Sequence, residues 1–228
     1  MKLTFLKYLI FALLLCPSAA FGQGRVYTRS LRLADFPQKT TRMVLSGKSA
    51  LDSRLKEEIS SRWRISPYEF CDYGQFKAAE KSTLYYFLHT ASDADFTYLI
   101  LTKGGPSSGN PLERGFDVVS LPIAGADNPD AAELLYMPAF IDLIQEYILA
   151  AMESDAVSYK GIGGIARRIS RPGLVCKDLE KGRQLFSAEA EGAIVPVLVM
   201  PSGQGKFCYK MLISTDKHHL YKFKKKRL

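Results

Sequence analysis

Residues 43–58 read MVLSGKSALDSRLKEE, and they set the architecture at the start of the chain. Arg42 to Leu45 is a run of long and β-branched side chains, the composition of a buried strand. A small-residue turn follows, and then Leu51, Leu55, Ile59 and Trp63 recur at every fourth position. That spacing lays one apolar stripe along a helix. Asp52 with Lys56, and Glu58 with Arg62, are placed to pair on its wet side.

The same turn holds Gly47-Lys48-Ser49, the closing residues of a phosphate-binding loop. Such a loop needs a glycine five positions before Gly47, because the intervening amides must curl round the phosphates, and Arg42 stands there. A capping box accounts for the same residues. The Ser49 hydroxyl is placed to accept from the Asp52 amide, while the Asp52 carboxylate accepts from the Ser49 amide.

Downstream, Pro67 stops the helix because it has no amide hydrogen to continue one. Tyr68–Cys71 reads as a short strand and Gln75–Lys81 as a turn or two of helix. Leu84–His89 and Phe96–Thr102 are aromatic and β-branched runs joined by the polar turn Ala91–Asp95, a hairpin pattern, and Phe116–Pro122 is a further strand. Asn128-Pro129 offers a cap and a first helical proline, and Pro138 breaks or restarts that helix. From Pro138 to Glu153, Asp142, Gln145, Glu146 and Glu153 fall on one side and apolar residues cover the rest, the pattern of a largely buried helix. Asp155 to Arg171 show no period that assigns them to an element.

The last third is clearer. Ala193–Met200, Phe207–Ile213 and Leu220–Lys226 are strand runs separated by Pro201–Gly205 and Ser214–Lys217, which predicts an antiparallel meander. The fold class is therefore α+β: a mixed or mainly antiparallel sheet packed on one long and one or two shorter helices, with a C-terminal β-meander. Residues 23–228 are expected to form one globular domain, with a subdomain boundary near 155–170 if there is one. The strand, capped helix, strand opening resembles small periplasmic modules such as the amino-terminal domain of TolB over about a quarter of the chain. That resemblance concerns fold order and implies no activity.

At the amino terminus, Lys2 and Lys7 precede the apolar run Tyr8–Leu15, a break at Pro17-Ser18, and small residues at Ala20 and Gly22. This is the pattern of an export signal cleaved after Gly22, which predicts a periplasmic or secreted chain with no transmembrane segment after cleavage. Leu15 stands where a lipoprotein signal wants a small residue, so lipidation of Cys16 is disfavoured. An exported chain also has no access to intracellular nucleotide, and nucleic acid is excluded as a partner. Cleavage leaves Cys71, Cys176 and Cys208, an odd number in an oxidising compartment, with Cys176 and Cys208 the candidate disulfide pair. Three buried thiols are the bland alternative.

Four patterns invite a chemical reading. Gly105-Pro106-Ser107-Ser108-Gly109 matches the G-x-S-x-G of a nucleophile elbow, with His218 or His219 as its base; this makes a small secreted serine hydrolase the alternative function. An elbow needs a helix directly after it, and Asn110-Pro111 is a turn. Gly161–Ala166 fits G-x-G-x-x-A without a strand leading into it, and reads as a turn before Arg167-Arg168. Cys71 with His89 is the one cysteine–histidine pairing that could act as nucleophile and base, and burial is the default for both. Three histidines at these positions assemble no sequence-local metal site, and no cofactor is implied.

The strongest compositional anomaly is the carboxy terminus, where Lys222, Lys224, Lys226 and Arg227 interleave with Tyr221 and Phe223 in a chain of formal charge +8. Lysines on an edge strand guard against edge-to-edge aggregation, and they also suit anionic envelope polymers, lipid headgroups or a partner's acidic patch. The expected function is thus an exported, non-catalytic envelope protein that binds or assembles through this surface.

Overall fold

The computed structural model describes residues 27–127, 132–170 and 175–228. The leader, Cys16 and the Asn128-Pro129 cap lie outside these residues.

The chain is α+β, as its patterns predict. In order, the elements are α1 (Arg29–Leu33), a 3-10 turn (Phe36–Gln38), β1 (Thr40–Val44), α2 (Ser49–Arg62), β2 (Tyr68–Cys71), α3 (Tyr73–Ala79), β3 (Tyr85–Ser92), β4 (Phe96–Lys103) and β5 (Phe116–Gly125). A 3-10 turn (Ala132–Tyr136) then leads into α4 (Met137–Glu153), α5 (Asp155–Lys160), a second such turn (Gly161–Ile165), α6 (Leu179–Ser187), β6 (Ile194–Val199), β7 (Phe207–Ser214) and β8 (Leu220–Arg227).

The first sheet has the order β2-β1-β3-β4-β5. β1 pairs in parallel with both β2 and β3, whereas β3, β4 and β5 form an antiparallel meander. Parallel pairing requires a crossover, and α2 supplies it between β1 and β2. Leu51, Leu55, Ile59 and Trp63 are all buried, so the four-residue stripe faces the sheet.

The turn into α2 differs in detail from a capping box. Ser49 is already helical, and Lys48 is the exposed cap residue without a side-chain cap bond. Asp52 instead reaches further back, accepting from the amides of Ser46 and Gly47 at 2.9 and 2.8 Å and from the Ser46 hydroxyl. The shorter aspartate thus closes the loop ahead of the helix, and Gly47 takes the φ of +83° this requires.

The second sheet is the antiparallel meander β6-β7-β8, with β8 as an open edge. Val195, Val197, Val199, Met211 and Ile213 face the interior and join Leu99, Leu101, Leu121 and the α4 residues Phe140, Leu143, Ile144 and Ile148 in one hydrophobic cluster. Phe96 of the first sheet meets Tyr209 of the second edge to face at 4.9 Å. Burial of each such side chain contributes roughly 2 kcal/mol, so α4 is the hub both sheets lean on. Leu134–Glu153 are long and apolar enough to cross a membrane, but 72% of that stretch is buried in the protein's own interior, as in a core helix.

Asp155 to Lys160, which show no period, form a short helix held from outside. The Tyr147 hydroxyl donates to the Ser158 carbonyl at 2.8 Å, and the Ser30 amide donates to Asp155 at 2.9 Å.

Candidate functional site

Ser107 lies exposed in the loop between β4 and β5, and the segment after it is bend and turn. The strand-to-helix turn of an elbow is absent there. Gly105 has a packing reason of its own: its φ is +148°, and an added Cβ would stand 2.0 Å from the Glu113 carbonyl. The first glycine of the motif is therefore set by loop closure.

Both histidines of the β7–β8 turn point elsewhere. His218 has a φ of +53° and stacks on Phe186, and its Nδ1 lies 2.6 Å from the Asp142 carboxylate of α4. Asp142 also accepts from Arg62 at 3.0 Å, and Arg62 from its other side donates to Glu58 at 2.7 Å. A chain of polar contacts thus ties α2, α4 and the meander turn together. His219 approaches Glu146 at 3.5 Å, while Arg167 donates to the same carboxylate at 2.7 Å. These groups hold elements in place, and no hydrogen bond joins either ring to Ser107 among the described residues.

Cys71 and His89 sit on β2 and β3 with β1 between them, which sets them roughly 10 Å apart at the usual strand spacing. His89 donates or accepts at Thr102 Oγ1 and stacks on Phe76; burial holds its pKa below the ordinary value. Burial also pushes the Cys71 thiol up. With β1 between them, the half-buried imidazole and the thiol lack the hydrogen-bond contact that joins a base to its nucleophile.

Among the described residues Cys71, Cys176 and Cys208 are free thiols, so the Cys176–Cys208 bridge is not formed. The register shows why. The Cys176 amide bonds to the Ile194 carbonyl at one end of β6, and Cys208 lies one step past the Tyr209–Val199 pair at the other. Five residues of strand put them about 17 Å apart, far beyond the ~7 Å limit between bridged Cα atoms. Among the described residues no group of three metal-binding side chains comes together. The Gly161–Ala166 fingerprint is a 3-10 turn following α5, with no strand ahead of it.

The basic terminal strand is where an unusual arrangement survives. β8 alternates, so Tyr221, Phe223 and Lys225 share the side of Tyr209 and Met211, while Lys222, Lys224 and Lys226 share the other with Leu212, Lys210 and Cys208. Lys224 is directly opposite Lys210, and Lys222 and Lys226 flank it along the strand. Lys222, Lys224, Lys226 and Arg227 are exposed and Lys210 half-buried. None of these cations forms an ion pair among the described residues, although twelve such contacts occur elsewhere. On the other face, Lys225 lies over Phe207 at 5.2 Å and over Tyr209 at 5.4 Å.

Sequence reading finds β8 but misses Lys210. Its part emerges only from register, because the residue is on a different strand, fourteen positions away from Lys224.

A scan against family models finds no match, and comparisons with curated proteins and with solved structures find none either.

Proposed function

We propose that the chain is an exported, non-catalytic binding or assembly protein that docks on anionic envelope material through β8. One observation supports this above others: Lys210 stands opposite Lys224, between Lys222 and Lys226, with no acid paired to any of them among the described residues. Lysine on an exposed edge is accounted for by protection against aggregation. Lys210 is on the inner strand β7, where edge protection has no purpose. Like charges directly across a ladder destabilise it by up to about 1 kcal/mol, and an anionic ligand converts that repulsion into attraction.

The test is retention of the mature protein on anionic envelope material. K222Q/K224Q/K226Q is expected to release it while far-UV circular dichroism stays unchanged, and wild-type retention is expected to fall steeply with salt. Undiminished retention of the triple variant would reject this surface. Export is checked separately: the mature amino terminus is expected at Gln23, in the periplasmic or secreted fraction.

A further inference from the structure

We infer that the material docked by β8 is the headgroup layer of an anionic lipid bilayer, entered by the free end of the second sheet. The inference rests on the docking reading above and adds its occupant.

Register brings the parts together. Phe207 opens β7 and pairs with Arg227 at the end of β8; the Leu228 amide bonds to the Lys206 carbonyl; and Met200 follows Val199, the partner of Tyr209. One end of the sheet therefore carries Met200 and Phe207, 40% and 41% exposed, ringed by Lys206, Lys225, Lys226 and Arg227. The lysine stripe runs back from this tip along the outer face.

One feature separates a bilayer from a soluble anionic polymer. A polymer needs cations alone and leaves exposed methionine and phenylalanine unexplained. A bilayer interface takes both, cations among the headgroups and apolar side chains at the acyl boundary. The lysine stripe Lys210, Lys222, Lys224 and Lys226 is on the outer face, whereas Phe207 and Lys225 are on the Tyr209 side, where Asp95 and Asp127 line a cavity of about 440 Å³ together with Lys206 and Phe207. The bilayer is therefore met by the free end of the sheet and the outer stripe, not by the whole Tyr209 face.

The experiment is co-sedimentation of the mature chain with vesicles of phosphatidylglycerol and phosphatidylethanolamine, against vesicles of phosphatidylcholine, and with dextran sulfate beads in parallel. The wild type is expected to partition to the anionic vesicles, each Lys→Gln change on the stripe lowering partition about fivefold. M200S/F207S is expected to lose about tenfold on vesicles and nothing on beads. F207W is expected to shift its emission to the blue on anionic vesicles; the single native tryptophan, Trp63, is buried and gives a constant background.

Equal partition to the two vesicle types, or M200S/F207S partitioning like wild type, overturns the inference. Binding to beads that is lost in the lysine variants, without binding to vesicles, overturns the bilayer alone and leaves the docking surface standing. Lysine variants that bind vesicles and beads as the wild type does overturn both.

Discussion

Lys103 is 1% exposed, and its ammonium is held by both carboxylate oxygens of Asp35, at 2.9 and 2.8 Å, and by the Arg32 carbonyl. Burial alone would raise the Asp35 pKa, but hydrogen bonds from Lys103, Lys39 and Tyr86 outweigh it and hold the carboxyl below its usual range. A carboxyl depressed in this way stabilises the fold fully above its unfolded value of 3.8 and loses that contribution as the pH falls through the lower folded value. Stability measured by urea unfolding is therefore expected to decline below about pH 4, and D35N to flatten that decline. At neutral pH, D35N strands a buried ammonium and is expected to cost about 3 kcal/mol; K103M, which leaves Asp35 with Lys39 and Tyr86, is expected to cost less. Thiol labelling should likewise sort by burial, with half-exposed Cys176 reacting well before Cys71 and Cys208. None of these pairings was legible in the sequence. Asp35 and Lys103 are separated by 68 positions, and only the fold makes them neighbours.

At the scale of elements, alternation and four-residue spacing located most strands and the two long helices, because each of those segments turns one face to the core. The ends moved by up to three residues, as at β3, which runs on to Ser92, and β5, which runs on to Gly125. D52A tests the cap that was misread: loss of the bonds to Ser46 and Gly47 is expected to cost about 1 kcal/mol in urea unfolding. α1, α5 and α6 escaped sequence reading; the five and six residues of α1 and α5 are too short to show a period, and tertiary bonds hold them. Sheet order was equally hidden, as parallel pairing of β1 with β3 leaves no local signature. β8 was found, and its chemistry can be separated from its stability. K224E replaces the repulsion at Lys210 by attraction, so it is expected to stabilise the protein by about 0.5 kcal/mol while weakening docking. A purely structural role for the lysines predicts no change in docking.

For the molecule as a whole, one hydrophobic cluster draws on both sheets and α4, so unfolding by urea is expected to be a single transition, with Trp63 fluorescence and far-UV circular dichroism coinciding. Separate transitions would assign the meander its own stability. The polar contacts also reach across the molecule: the network Glu58–Arg62–Asp142–His218 joins α2, α4 and the β7–β8 turn. The docking of α1 carries a further consequence. Its Arg29 guanidinium is held by the carbonyls of Asp117 and Val118, the first of them 88 positions later in the chain, and Asp35 waits equally on Lys103. A chain made from its amino terminus thus exposes α1 long before its partners in β5 exist, whereas β1 meets β2 and β3 sooner. The first helix to be made must therefore wait undocked until β5 has emerged, and it is expected to be among the last elements to find its place.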